Sequence, residues 1–122
     1  MSAPKRRRAA VLRPRLRVLR GPEVALGPGK VALLEAIARE GTIAGAARAL
    51  RMSYMRAWTL VRTMNRSFRR PLVETARGGA GRGRTRLTPA GATVVALYRE
   101  MEDRGLRAAA PPWRRLRRWL KP

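Results

Sequence analysis

The sequence contains no cysteine and no histidine among its 122 residues. The first absence excludes disulfides and thiol chemistry, and the two together remove the common ligands of zinc. Histidine is also the usual general base at neutral pH, so its absence removes the side chain that most often performs acid–base catalysis. We therefore expect no metal site, no cofactor and no enzymatic activity.

Acidic residues are scarce as well, with 7 aspartates and glutamates against 29 lysines and arginines and a formal net charge of +22 at pH 7. A genomic bias explains why arginine outnumbers lysine, but it does not explain the shortage of acids. A field of this sign attracts polyanions such as DNA and RNA. The composition therefore favours a nucleic-acid-binding protein.

Long apolar runs are also missing. None approaches the ~20 residues that a membrane-spanning helix needs. The basic segment Lys5–Arg8 resembles the start of a signal peptide, but the arginines that follow it interrupt any apolar export core. We expect a cytoplasmic, nucleoid-associated protein without a membrane partner.

The stretch Thr42–Phe68 has the pattern of two helices joined by a short turn. Thr42 and Ser53 are suited to cap these helices, because a hydroxyl oxygen accepts a free backbone N–H. Apolar residues recur at three- and four-residue steps, which predicts one buried stripe on each helix. The stripes consist of Ile43, Ala46, Ala47 and Leu50, and of Ala57, Leu60, Val61, Met64 and Phe68. The small alanines allow the close approach that a helix-turn-helix requires.

The residues on the N-terminal side predict a strand and a further helix. Leu16–Leu19 has the alternation of a short strand, and Gly21–Gly29 is rich in turn-forming residues. Lys30–Glu40 has helical periodicity. Its inward-facing residues are expected to be Val31, Leu34, Ile37 and Ala38.

The residues on the C-terminal side predict a β-hairpin and a last helix. Leu72–Thr75 and Arg86–Thr88 read as strands around a basic, glycine-rich loop. This loop has partial P-loop spacing, but Arg84 stands where lysine is required and no helix follows directly, so we do not expect nucleotide hydrolysis. Thr88 caps the last helix and Pro89 occupies its first turn. The apolar stripe of that helix is formed by Val94, Leu97, Tyr98 and Met101.

Three runs between about Gly29 and Arg99 resemble the N-terminal DNA-binding domain of molybdate-responsive (ModE-type) regulators, which is related to that of LysR-type regulators. They are GTIAGAARALRMSYMRAW, MNRSFRRPLVETARGG and RLTPAGATVVALY. The resemblance implies a mainly α fold with a small β-wing, that is, a winged helix-turn-helix. It also implies an N-terminal strand that pairs with the wing, and a homodimer formed through this strand and the helix 89–104.

One residue departs from the pattern of this family. The turn between the two helices usually carries glycine where this chain has Arg51. A left-handed backbone there costs arginine about 1 kcal/mol more than glycine. We therefore expect a slightly rearranged turn.

The chain divides into three parts. Residues 1–15 form a basic flexible arm, residues 16–104 form the DNA-binding domain and residues 105–122 form a basic amphipathic tail, in which Pro111-Pro112 isolates WRRLRRWLKP. The tail is suited to contact DNA, a partner or a membrane surface. The chain is too short for this domain and a full ligand-sensing domain, so we do not expect molybdate sensing by it.

The residues that contact DNA are expected in three places. A recognition helix enters the major groove with its N-terminal end, and a wing or a basic arm lies along phosphates or in the minor groove. The recognition-helix candidates are Arg51, Ser53, Tyr54, Arg56, Arg62 and Arg66, the wing candidates are Arg77, Arg82, Arg84 and Arg86, and the arm candidates are Arg6, Arg7 and Arg8. Trp58 lies near the apolar stripe, and an indole there is more often core or interface than a base-stacking platform.

Three functions are consistent with these features. The first is a sequence-specific, dimeric transcription regulator that binds double-stranded DNA, and the resemblance implies genes of molybdate or metal transport. The first alternative is a sequence-independent architectural protein that binds DNA or RNA through its charge alone. The second alternative is a module that binds a membrane surface or a partner through Trp113–Leu120.

Overall fold

The computed structural model describes residues 9–76 and 83–122, which fold as a mainly helical winged helix-turn-helix. Its elements in chain order are β1 (Val18–Arg20), β2 (Glu23–Leu26), α1 (Pro28–Glu40), α2 (Ile43–Ala49), α3 (Tyr54–Ser67), β3 (Val73–Thr75), β4 (Thr85–Leu87) and α4 (Pro89–Leu116), followed by a 3₁₀ turn (Arg117–Trp119). The strands form two separate antiparallel pairs, β1 with β2 and β3 with β4. The predicted fold class is therefore confirmed.

Helix α1 lies at the centre of the core. It contacts α2, α3, α4 and β4, so its side chains are covered from several directions. Val31, Leu34 and Ile37 are buried as predicted, and Leu33 and Ala36 are buried with them. The prediction for Ala38 is wrong, because this residue is exposed. A helix that is covered on more than one side buries more than a single stripe, whereas Ala38 lies in its exposed last turn.

Among the residues that the structure describes, the N-terminal strand is not paired with the wing. Strand β1 pairs with β2, with Leu19 opposite Val24 and Arg20 opposite Glu23, and Gly21 takes a positive φ of 59° in the turn between them. The expected pairing with the wing is therefore wrong, and the predicted turn-rich connection contains a strand. A partner that follows within a few residues costs less loop-closure entropy than a distant one.

Asn65 joins the end of α3 to the start of the wing. Its side-chain oxygen accepts hydrogen bonds from the backbone N–H of Leu72 (2.8 Å) and of Val73 (3.1 Å). Its amide nitrogen donates to the carbonyl oxygen of Val73 at 3.0 Å. One side chain thus provides hydrogen-bond partners for the backbone N–H and C=O groups of the chain reversal that follows α3. These bonds fix the orientation of β3 relative to α3.

Thr88 and Gly91 join the same chain reversal to α4. The Thr88 hydroxyl donates to the carbonyl oxygen of Pro71 at 2.6 Å and accepts the N–H of Gly91 at 3.0 Å, so the predicted helix cap is confirmed. A Cβ atom on Gly91 would lie only 2.1 Å from the carbonyl oxygen of Leu72. The close contact between α4 and residue 72 therefore requires glycine.

Helix α4 is longer than predicted. It continues through Pro111-Pro112 to Leu116, so the expectation that these prolines isolate the last residues is wrong. Proline removes the hydrogen bond to the carbonyl four residues earlier. These carbonyls belong to Arg107 and Ala108, which are exposed, so water can satisfy them and the helix persists.

Two contacts hold α4 against the rest of the domain. The buried Tyr98 donates its hydroxyl hydrogen to the carbonyl oxygen of Leu16 at 2.8 Å. Burial raises the pKa of the Tyr98 hydroxyl. On the surface, Arg99 pairs with Glu35 of α1 and with Glu102. The hydrogen bonds from Arg99 lower the pKa of the Glu35 carboxyl.

Within residues 9–76 and 83–122, no helix is both long enough and apolar enough to cross a bilayer.

Candidate nucleic-acid interface

Both helices of the helix-turn-helix begin at the predicted caps. The Thr42 hydroxyl accepts the backbone N–H of Gly45 at 2.9 Å, and the Ser53 hydroxyl accepts that of Arg56 at 3.1 Å. Each bond satisfies one of the N–H groups that a first helical turn leaves without a partner. The start of α3, which is the end expected to enter a groove, is therefore defined by Ser53.

The turn before α3 keeps the left-handed backbone that glycine usually provides. Arg51 has a φ of 55°. Its N–H donates to the carbonyl of Arg48 (3.1 Å), and the N–H of Met52 donates to that of Ala47 (3.0 Å), which is the Schellman pattern of helix termination. The expected rearrangement is therefore wrong. Two backbone hydrogen bonds hold Arg51 in this conformation despite its Cβ.

Helix α3 has one buried side and one outer side. Its buried side chains are those of Ala57, Val61 and Met64. At 100° per residue, the outer side directly opposite them is formed by four exposed residues. These residues are Met55, Thr59, Arg62 and Arg66. Arg56 lies on one flank of this outer side, and Tyr54 and Trp58 lie on the other.

All six predicted recognition-helix residues are exposed, and they lie on α3 or in the turn before it. Met55 and Thr59 were not among the predicted contacts, although Met55 is 64% exposed. Both are uncharged, but their spacing from the buried stripe places them at the middle of the outer side. A helical projection of the sequence contains this signal, whereas a search for basic residues does not.

Trp58 lies on the surface, with 36% of its area exposed. The guanidinium of Arg62 stacks on its indole, 4.7 Å from the ring centroid. Trp58 is therefore not part of the buried core, and its place at an interface stays a prediction. A side chain on the flank of a helix packs inward only when a neighbouring element covers that flank, and the position in the sequence does not show whether one does.

The charge around α3 is of one sign. No acidic residue occurs between Glu40 and Glu74, while arginines recur throughout this stretch. The ion pairs in the part of the chain that the structure describes involve Arg86, Arg99, Arg104 and Arg107, and none involves an arginine of α2 or α3. The helix-turn-helix therefore presents cations that no carboxylate neutralises.

The wing is attached beside the start of α2. Strands β3 and β4 pair with Glu74 opposite Arg86, and the N–H of Thr85 donates to the carbonyl of Gly41 at 2.8 Å. Arg84 and Arg86 are exposed, and Arg86 forms an ion pair with Glu74 at 2.6 Å. Among the predicted wing and arm residues, Arg77, Arg82, Arg6, Arg7 and Arg8 lie outside the described residues.

The model of the bacterial regulatory helix-turn-helix proteins of the lysR family matches residues 29–92, which include the helix-turn-helix, the wing and the start of α4. The chain belongs to this family. This match confirms the likeness to LysR-type regulators that the three sequence runs indicated.

Several curated relatives are ModE proteins or are similar to them. The chain is 49% identical over 77 residues to the molybdenum-pterin-binding protein MopA of Rhodobacter capsulatus, covering 63% of this chain and 29% of that protein. It is 45% identical over 78 residues to the molybdenum transport protein ModE of Azotobacter vinelandii, which is 64% of this chain and 29% of that protein. It is 38% identical over 71 residues to the DNA-binding transcriptional dual regulator ModE of Escherichia coli K12, covering 58% and 27%. The chain thus spans less than a third of the length of these relatives.

Solved structures of regulators of the same type share the fold. The full-length LTTR LysG of Corynebacterium glutamicum with bound effector Arg matches with a TM-score of 0.54 and 26% identity, over 75% of this chain and 29% of that one. The DNA-binding domain in the CbnR_DBD–DNA complex matches with a TM-score of 0.50 and 22% identity. The match covers 73% of this chain and 92% of that one, and at this identity it shows the fold alone. The chain is a helix-turn-helix regulator homologous to the ModE proteins.

Proposed function

We propose that this chain is a sequence-specific transcription regulator that reads the major groove of double-stranded DNA with the outer side of α3. The observation that carries the proposal is the set of exposed, unneutralised arginines on that side, opposite a stripe that the core holds in place. Arginine neutralises phosphates and also donates two hydrogen bonds to guanine. A rigid helix keeps these donors at a constant spacing, as base reading requires.

The predicted contact residues have different roles in this proposal. Arg56, Arg62 and Arg66 face base edges and phosphates along the groove, while Ser53 and Tyr54 contact phosphates at the helix start. Arg84 and Arg86 of the wing bind the flanking backbone, together with Arg77 and Arg82. The basic arm, with Arg6, Arg7 and Arg8, adds affinity that does not depend on sequence.

We propose further that the regulator is a homodimer formed through α4 and the N-terminal strand. Leu97 and Met101 are one turn apart on α4 and are 53% and 47% exposed, and Leu19 of β1 is 63% exposed. Burial of such side chains in a two-fold interface would place two α3 helices about one turn of DNA apart. Leu97→Lys should then yield a monomer in sedimentation experiments, whereas Ala96→Lys on the same helix tests the effect of charge alone.

The names of the relatives suggest which genes are controlled. We propose that the chain acts at genes of molybdenum transport in the bacterial cytoplasm, without catalysis of its own. Because the match covers only a small part of the relatives, the signal that controls the regulator is not transferred from them.

The test is selection of preferred duplexes from a random pool at moderate salt, which suppresses bulk electrostatic binding. We expect enrichment of a palindromic sequence, which can then be sought upstream of transporter genes. Absence of enrichment would overturn the proposal.

The net charge of +22 favours a second candidate, a sequence-independent architectural protein that binds DNA or RNA. Such a protein would bind random duplexes and RNA equally well. Its affinity would fall steeply with salt for every sequence alike. Equal affinity for a selected and a scrambled duplex across a salt series would favour this candidate.

A further inference from the structure

The stacked pair on α3 suggests a specific part of the reading mechanism. We propose that Trp58 is a positioning residue, which holds the guanidinium of Arg62 so that its N–H groups donate to the O6 and N7 atoms of a guanine in the major groove. This inference rests on the proposed function and names the residue pair that provides specificity at one base pair.

The geometry of the pair comes from helical spacing. Residues four apart lie one above the other on a helix, and the carbon atom of the Arg62 guanidinium lies 4.7 Å from the centroid of the Trp58 ring. A cation over the face of an indole is attracted by the quadrupole of the ring, whose face is electron-rich. Arg62 also lies closer than Trp58 to the middle of the outer side. The indole therefore contacts Arg62 from the flank of α3, and Arg62 stays on the side that faces the groove in the proposed complex.

Stacking leaves the hydrogen-bond donors of Arg62 available. The guanidinium is planar, and its five N–H groups point outwards in that plane, so an aromatic ring on one face does not block them. Helix α3 has no carboxylate that would compete for these donors. Among the residues that the structure describes, the ion pairs are all made by other arginines.

The consequence is a reading group that is ordered before DNA arrives. A long arginine side chain normally loses rotamer freedom on binding, and a side chain already stacked loses less. Guanine is the base that presents two acceptors to such a planar group in the major groove. Phosphates also accept paired N–H donors from arginine. What points to a base is the position of Arg62 on the outer side of α3, which the proposed function places in the major groove.

The experiment uses the full chain and the duplex selected with the wild-type protein. Affinities of wild type, Trp58→Leu, Arg62→Ala and the double variant are measured for this duplex and for duplexes in which each G·C pair is replaced in turn. We expect Arg62→Ala to bind the selected duplex roughly tenfold to hundredfold more weakly and to lose its preference at one G·C pair. Trp58→Leu should lose part of the same preference, and the double variant should be no worse than Arg62→Ala.

Two controls separate positioning from general damage. Trp58→Phe keeps an aromatic face and should restore most of the preference that Trp58→Leu loses. Arg66→Ala combined with Trp58→Leu should be additive, because Arg66 lies two turns from Trp58 and does not stack on it. Circular dichroism confirms that each variant is folded.

The results that overturn the inference differ from those that overturn the proposed function. If Trp58→Leu and Arg62→Ala have additive effects, or weaken all duplexes equally, Arg62 contacts phosphate and Trp58 does not position it. The proposed function would survive that result, because wild type would still select a sequence. If wild type selects no sequence at all, the proposed function fails and this inference fails with it.

Discussion

Helix α3 and the Arg99–Arg107 part of α4 are both rich in arginine, yet their arginines have different surroundings. On α4, Arg104 pairs with Glu100 at 3.0 Å and Arg107 pairs with Asp103 at 2.5 Å. On α3 no acid is present to form such pairs. The number of arginines on a helix therefore does not identify a DNA-binding surface. A carboxylate beside an arginine weakens the field that attracts phosphates, so α3 presents a stronger positive field than the Arg99–Arg107 part of α4.

The apolar residues of the two helices differ in the same way. Each helix buries one side in the core and exposes apolar residues elsewhere. On the Arg99–Arg107 side of α4 these include Leu97 and Met101, which lie beside paired charges, whereas on α3 they include Met55 and Trp58, which lie among unpaired arginines. An exposed apolar patch among balanced charges suits another protein surface. The same patch within a cationic field suits the apolar and stacked parts of a base pair.

The largest expected effect concerns the joint that orients α4 relative to α3. Gly91→Ala places a methyl group where the Leu72 carbonyl oxygen would be 2.1 Å away, so α4 must move away from the wing. We expect a loss of about 3 kcal/mol or more in the free energy of unfolding, measured by urea denaturation. Gly105→Ala is the matched control on the same helix. It meets nothing within 4 Å and should stabilise by about 0.5–1 kcal/mol.

The second prediction tests the contrast between the two helices directly. Arg56→Ala should weaken binding to the selected duplex by about 1–3 kcal/mol and relax its specificity. Arg104→Ala removes the same charge from α4, where Glu100 already compensates it, and should have a much smaller effect. Fluorescence anisotropy at several salt concentrations measures both. Equal losses for the two variants would mean that only total charge matters.

The third prediction concerns the left-handed turn before α3. Arg51→Gly should raise the free energy of unfolding by up to about 1 kcal/mol, because glycine has no Cβ strain at a φ of 55°. It should also weaken DNA binding if the guanidinium contacts phosphate. Arg51→Ala separates the two effects, since it removes the charge and keeps the strain. If Arg51→Ala binds DNA as tightly as wild type, the residue is not part of the interface.

The smallest effect is expected at the ion pair between α1 and α4. The pKa of Glu35 is lowered by Arg99, so this carboxylate stabilises the fold above its unfolded pKa of about 4.5. That contribution is lost as the pH falls through the folded pKa. Because both side chains are partly exposed, Glu35→Gln should cost less than about 1 kcal/mol at pH 7 and make stability less sensitive to acid. Thermal unfolding at pH 7 and pH 3 measures the difference.

A control for this last variant is Glu100→Gln, which removes a carboxylate that pairs only within α4. Such a pair contributes about 0.3–0.5 kcal/mol at most. If both variants show the same acid dependence as wild type, the contact between α1 and α4 does not contribute to stability at neutral pH.

Local features of the chain were predictable from the residues alone. The caps at Thr42, Ser53 and Thr88, the buried stripe of α3 and the positions of the wing strands all follow from hydrogen-bonding side chains and from periodicity over a few residues. Each of these depends on interactions between residues that are close in the sequence, so the pattern contains the necessary information. The resemblance of three runs then indicated the family.

Other features depend on which elements meet in three dimensions. Strand β1 pairs with β2 and not with the described strands of the wing, and α4 continues through two prolines. Arg51 has a left-handed backbone conformation that its side chain disfavours. In each case a local conformational preference competes with hydrogen bonding, solvent access or packing in the folded chain. The sequence pattern does not show which of these free-energy contributions is larger. The exposure of Trp58, whose ring lies under the guanidinium of Arg62, is also a feature that only the tertiary structure shows. Periodicity places that indole on the flank of α3, but only the folded chain shows that no described element covers this flank fully and that the indole stays partly exposed beside an arginine.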